Sequence, residues 1–258
     1  MEQTLQTFLT QGVFAFMITF VRIGAALTIM PGIGDSFVPQ NIRLYIALGI
    51  SLVLMPLVSA YLPSPIPSTM GFIILIACEF IVGIFIGTIA RIFMTALDTA
   101  GMIISMQSGL GNAQVFNPAM ATQGSLIGAL MSITGVVMLF VTNMHHLLIY
   151  GLIGSYEVFP VGIVPNSGDM ADLMTKAIGG SFMIGVQIAS PFIVLSMMLY
   201  IGMGVLSRLM PQVQVFMLSL PLQITLSLLT LVMMFSAGML FWLTKYEEGM
   251  MFFFGGGG

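Results

Sequence analysis

Charge is what this sequence has least of. Six basic and nine acidic side chains are spread over 258 residues, 6% of the chain, where soluble domains carry roughly 25%. That scarcity excludes an ordinary soluble domain. No basic run occurs and the formal net charge is −3, so nucleic-acid binding has no electrostatic footing. The single cysteine, Cys78, excludes an internal disulfide and a multi-cysteine metal site, and reads as a small apolar-like packing residue. His145 and His146 are adjacent, so on a helix they point about 100° apart, whereas zinc ligands want a common face. No nucleophile–base constellation, catalytic carboxylate pair or phosphate-binding loop can be assembled. The glycines of QSGLGNAQ (107–114) resemble a nucleotide fingerprint only at the start, because Gln114 stands where the third glycine is needed. The reading is a non-enzyme without catalytic residues, metal or cofactor.

Apolar residues, by contrast, make up 58% of the chain, with a mean hydropathy of +1.10. That is enough for about six spans of roughly 20 residues. The expectation is an all-α integral membrane protein, one membrane domain over residues 1–258, with about six apolar helical blocks, several broken by Gly or Pro. Residues 1–11 lack the positive region of a signal peptide, and Leu5, Phe8, Leu9 and Val13 have helical spacing. The first block, 13–30, contains Arg22. The second, 42–62, closes on Pro63, Pro65 and Pro67, whose alternation forbids helix. The third, 69–106, carries Glu79, Arg91 and Asp98; as one helix it exceeds about 50 Å, so it is a protruding helix or a broken pair. Blocks at 126–153, 173–206 and 215–242 follow, with a kink or break expected at Pro191 and a break near Pro221. Between them lie a polar loop, 154–172, and a connector, 207–214, with Arg208, Pro211 and Gln212. Residues 255–258 form a low-complexity glycine tail. Gly 29 and Met 25 are both abundant; glycine lets helices approach closely in lipid. Arg43, Arg91 and Arg208 fall near alternate connectors, which places those connectors in the cytoplasm and the N-terminus outside.

The unusual stretch is QSGLGNAQVFNPAMATQ, residues 107–123. It lies within 58 consecutive uncharged residues, 99–156. Irregular backbone at membrane depth is tolerated only inside protein or facing a cavity, so this segment belongs in one of those places. The embedded charges Arg22, Glu79, Arg91 and Asp98 each need a partner or water, since a charge at the bilayer centre costs at least ~2.5–3.5 kcal/mol. They read as structural pairs, with Arg22 and Glu79 able to meet between helices, or as an ion relay. Polar functional side chains within the spans are few. That favours a subunit of a larger membrane assembly over the alternative, an autonomous transporter or channel for a small solute or ion.

Three segments together resemble the FliR family, the export-gate membrane subunit of flagellar and virulence type III secretion. They are VRIGAA at 21–26, running to Pro31 with Val38-Pro39 and Ile42-Arg43-Leu44; GLGNAQVFNPAMAT at 109–122; and LSRLMPQVQVF at 206–216, followed by Leu220-Pro221-Leu222. The resemblance spans the chain in order. It implies a structural subunit of a flagellar export gate in the bacterial inner membrane and flagellar basal body. The partners it implies are FliP, FliQ and FlhB family proteins in a hetero-oligomer, with unfolded export substrates in transit. It also implies a FliP-like part at 1–125, a FliQ-like helical pair at about 171–248, and helical hairpins packed around a channel plugged by the central loop. In that loop Leu110, Val115, Phe116 and Met120 would seal by apolar packing. Asn112, Gln114 and Asn117 would satisfy backbone groups without charge, and Gly111 and Pro118 would keep the loop from becoming a rigid helix.

Overall fold

The computed structural model describes residues 2–62, 68–111, 125–163, 165–210 and 215–254, with their side chains described from residue 11 to residue 251 except at 215–218. Every regular element among them is helical: α1 (Glu2–Ile29), α2 (Gln40–Val58) with a 3-10 turn (Ser59–Tyr61), α3 (Thr69–Gln107), α4 (Leu126–Val141), α5 (Met144–Val158), α6 (Ser167–Leu209) and α7 (Val215–Phe254). Five stretches are long and apolar enough to cross a membrane, Gln11–Ile29, Gln40–Tyr61, Thr69–Gln107, Ser167–Leu209 and Ser219–Met251, and the bent pair α4–α5 brings the number to six. This is a multi-pass, all-helical membrane protein.

The breaks lie elsewhere than the prolines suggest. Pro191 and Pro221 both sit inside continuous helices, so neither breaks its block. A proline removes one hydrogen bond and crowds the carbonyl four residues back. For Pro191 that carbonyl belongs to Gln187, and it accepts the Ser190 hydroxyl at 2.7 Å instead. Pro221 falls early in α7, with little helix before it. The third block is one 39-residue helix, not a broken pair, roughly 58 Å long at 1.5 Å per residue. Conversely, the apolar run 126–153 is interrupted where it holds no proline. Asn143 adopts φ 60°, and α4 and α5 diverge by 78° across it. Asn is among the few non-glycine residues that enter the left-handed region at modest cost.

The chain divides into two compact units. One comprises Met1–Phe93, Leu139–Ala177 and Glu247–Gly258, the other Met94–Met138 and Ile178–Tyr246. In the first, α1 and α3 cross at glycine. A Cβ on Gly83 would stand 2.3 Å from the Arg22 carbonyl oxygen, and one on Gly87 2.6 Å from that of Ala26. The Gly83–Gly87 spacing is the small-xxx-small pattern that brings helix backbones together where lipid supplies no hydrophobic drive. Around this crossing Ile18, Ile23, Leu27, Ile86 and Ile89 are buried.

The second unit repeats the device. A Cβ on Gly101 of α3 would lie 2.2 Å from the Gly128 Cα of α4, and one on Gly185 of α6 would lie 2.9 Å from the Ala96 carbonyl of α3. Leu97, Ile104, Met239 and Trp242 fill the space between. Outside, large apolar side chains such as Tyr45, Leu126, Val232 and Met233 are more than two-thirds exposed, a surface suited to lipid or protein neighbours rather than water.

Gly83→Ala is therefore expected to destabilise the chain by ~1–3 kcal/mol through overpacking against backbone. Gly202→Ala, where nothing lies within 4 Å of the added Cβ, should be neutral or mildly stabilising, since alanine is the better helix former. Thermal unfolding of both variants in one detergent measures the contrast, and equal melting temperatures would contradict it.

Candidate functional site

The few polar groups gather into two knots. The first belongs to the unit containing α1. Arg22 is completely buried and Glu79 of α3 nearly so. Arg22 Nε donates to Glu79 Oε2 at 2.6 Å and Nη2 to Oε1 at 2.9 Å, a bidentate fork that only a guanidinium can make. Nη1 donates to the Ser155 carbonyl at 3.1 Å and its hydroxyl at 3.3 Å, and Nη2 to the Phe159 carbonyl at 2.9 Å. All five guanidinium N–H groups thus have an acceptor. The Tyr156 ring lies under the cation, 3.9 Å from its central carbon to the ring centroid. Ser155 and Phe159 sit at the C-terminal end of α5, where the helix dipole favours a cation and the Ser155 carbonyl also accepts the Phe159 amide at 2.8 Å. One side chain of α1 therefore fastens α3 and caps α5.

The other embedded charges have separate partners. Arg91 makes an ion pair with Asp35 of the α1–α2 connector, and the same carboxylate accepts the Gly32 amide at 2.7 Å. Asp98, in the other unit, accepts the Ser132 hydroxyl. Sequence spacing brought Arg22 and Glu79 within consideration, but Asp35, Ser155, Tyr156 and Phe159 were not foreseen. Asp35 sits in a connector, and three of Arg22's five acceptors belong to Ser155 and Phe159, 133 and 137 positions away.

The second knot, in the unit containing α4, secures the entry to the uncharged segment. The Gln223 amide of α7 donates to the Gln107 carbonyl at 2.6 Å, and the Ser196 hydroxyl of α6 donates to Gln107 Oε1, also at 2.6 Å. Gln223 Nε2 lies 3.4 Å from the Tyr200 hydroxyl, one helical turn beyond Ser196 on α6. Gly109 then turns the chain with φ +78°, against Gln223 and Leu220, and the Gly111 amide returns to the Ser105 carbonyl at 2.9 Å. A residue with a Cβ would be strained at that φ. The far end of the segment is tied to the same helix: the Ser125 hydroxyl donates to the Gly101 carbonyl at 2.9 Å. It also accepts the Gly128 amide at 3.2 Å, the bond of a helix N-cap. Gly101 and Gln107 are about 9 Å apart along α3, so the chain leaves and rejoins α3 within its last two turns.

Of the residues expected to seal the segment, Leu110 and Gly111 lie on this described entry. Asn112, Val115, Phe116, Asn117, Pro118 and Met120 lie outside the described residues, as do Pro211 and Gln212 of the second connector. Arg208 is an exposed residue in the last turn of α6. Ser125 was missed, although a serine just before an apolar run is the signal of a helix cap. Gln223 was a lone amide in an apolar block, but its partner across 116 positions had no local signal.

Residues 13–249 match the family described as bacterial export proteins, family 1. The chain is 38% identical to flagellar biosynthetic protein FliR of Caulobacter vibrioides, over 92% of this chain and 94% of the other. It is 30% identical to the protein of that name from Aquifex aeolicus, over 84% and 83%. It is 29% identical to Yop proteins translocation protein T of Yersinia pestis, over 62% of each.

Removing one partner of the first knot leaves a buried charge, so Arg22→Met and Glu79→Gln should each lose ~3–5 kcal/mol. The pair Arg22→Met with Glu79→Leu should lose clearly less than the two combined. Exchanging the charges should not rescue, because a glutamate at 22 would face the carbonyls of Ser155 and Phe159. Detergent unfolding of the set measures this, and recovery of wild-type stability by the exchanged pair would contradict the five-acceptor arrangement.

Proposed function

The chain belongs to family 1 of the bacterial export proteins, and from that premise we propose that it is the FliR-type structural subunit of a flagellar type III export gate in the bacterial inner membrane. Membership of a type III export apparatus follows from the family and from relatives on both the flagellar and the Yop side. The observation that carries the finer reading is the uncharged segment held at both ends, by α7 at Gln107 and by the last turns of α3 at Ser125. A plug in a narrow conduit has to avoid charge, which would need water or a counter-ion. It also has to be held by its ends so that it can shift without leaving. Amide and hydroxyl ties at Gln107 and Ser125 meet both needs, because neutral hydrogen bonds have a modest net strength of ~0.5–1.5 kcal/mol each.

In this reading FliP, FliQ and FlhB family proteins surround the chain, and their helices cover much of its apolar exterior. Unfolded flagellar proteins pass along the conduit once the segment, from Leu110 through Phe116 to Met120, moves aside. The first unit, stapled by Arg22, is the rigid body against which neighbours pack, and the chain supplies no chemistry of its own. A basal-body location follows from the same partners.

Purification of the tagged chain from its own membranes tests the proposal. It should elute in a stable hetero-oligomer with FliP- and FliQ-type proteins, and a strain lacking it should make no flagellum. A monomer or homo-oligomer that transports a small solute after reconstitution would establish the autonomous carrier instead.

A further inference from the structure

A cavity of about 580 Å³ lies between α1, α2 and the first half of α3, apart from both polar knots. On α1 its wall runs from Phe20 and Gly24 to Thr28, roughly 12 Å along the helix. On α2 it runs from Gln40 and Arg43 to Leu44 and Ala47, and α3 contributes Ile76 and Phe80. Its polar side chains thus come at the start of the candidate span Gln40–Tyr61 and the end of Gln11–Ile29. In a bilayer that these two spans cross, that is the level at which the apolar core gives way to headgroups. Leu44 and Phe80 are about half exposed, so the cavity is reachable from outside.

Arg43 is held in place without being neutralised. Its Nε donates to the Val38 carbonyl at 2.9 Å and its Nη2 to the Asp35 carbonyl at 2.6 Å, both uncharged acceptors. The nearby carboxylate, Asp35, is committed to Arg91 and to the Gly32 amide. Of these three groups only Arg43 lines the cavity, and among the described residues its Nη1 has no acceptor. A cavity with long apolar walls and a fixed, uncompensated guanidinium at its membrane-surface end matches a lipid tail below an anionic headgroup. We propose that this cavity binds one acyl chain of an anionic phospholipid whose phosphate is held by Arg43.

Native mass spectrometry of the purified assembly, titrated with dioleoyl phosphatidylglycerol or dioleoyl phosphatidylcholine, tests it. Wild type should retain phosphatidylglycerol preferentially, and Arg43→Gln should reduce that preference roughly fivefold, the worth of one cation at a membrane surface. Arg43→Lys disturbs the same connector bonds but keeps the charge, and should keep most of the preference. Gly24→Leu projects a side chain into the cavity, where an added Cβ meets only the Phe20 ring, no closer than 3.6 Å; it should lower retention of both lipids. Equal retention of the two lipids by wild type, or a preference that survives Arg43→Gln, would overturn the proposal. So would a cross-link from Phe80→Cys to another subunit, since protein would then fill the cavity.

Discussion

A guanidinium buried without any water contact must find all its partners inside the protein, and Arg22 does so with five acceptors drawn from Glu79, Ser155 and Phe159. The rest of the first unit depends on that arrangement. Glu79 sets where α3 passes α1, and the α5 carbonyls set where the second arm of the bent pair ends. The fork also requires α1 and α3 to lie close, which Gly83 and Gly87 permit by letting α3 rest on the Arg22 and Ala26 carbonyls. A hydrophobic replacement could be as stable. The charged version adds direction, because its acceptors lie at defined angles and apolar packing alone would let these helices slide.

The second unit solves a related problem with neutral groups. There the chain must leave α3, run through residues without charge and return. Glycine again permits the approach, at Gly101 against Gly128, while Gln223, Ser196 and Ser125 satisfy the exposed backbone and amide groups at both exits. An ion pair would hold those exits more tightly. Amides and hydroxyls hold them with neutral hydrogen bonds of ~0.5–1.5 kcal/mol each, which suits the displaceable plug proposed above.

Composition made the helical membrane class legible, and the apolar blocks located most helices to within a few residues at one end. The uncharged segment was visible as an anomaly, and its family resemblance supplied the role proposed for it. Neither proline breaks its helix; at Pro191 the Gln187 carbonyl accepts the Ser190 hydroxyl, a compensation that depends on one neighbouring side chain. The break at Asn143 was missed because a single non-glycine residue in the left-handed region leaves no mark in hydropathy. The partners of Arg22, Arg91 and Gln107 were hidden for a common reason. Each lies dozens of positions away, and a lone serine, carbonyl or glutamine in an apolar run looks alike whether or not it is paired.

In the proposed reading the two knots divide the work of a gate subunit: one unit is locked by charge, and the other holds an uncharged segment by its ends. The most direct measurement is the ionic conductance of the purified export assembly in a planar bilayer, with and without residues 111–119. The wild-type assembly should be electrically silent, and the deletion assembly, shown to contain every subunit, should conduct. An intact deletion assembly as silent as wild type would contradict the plugging role.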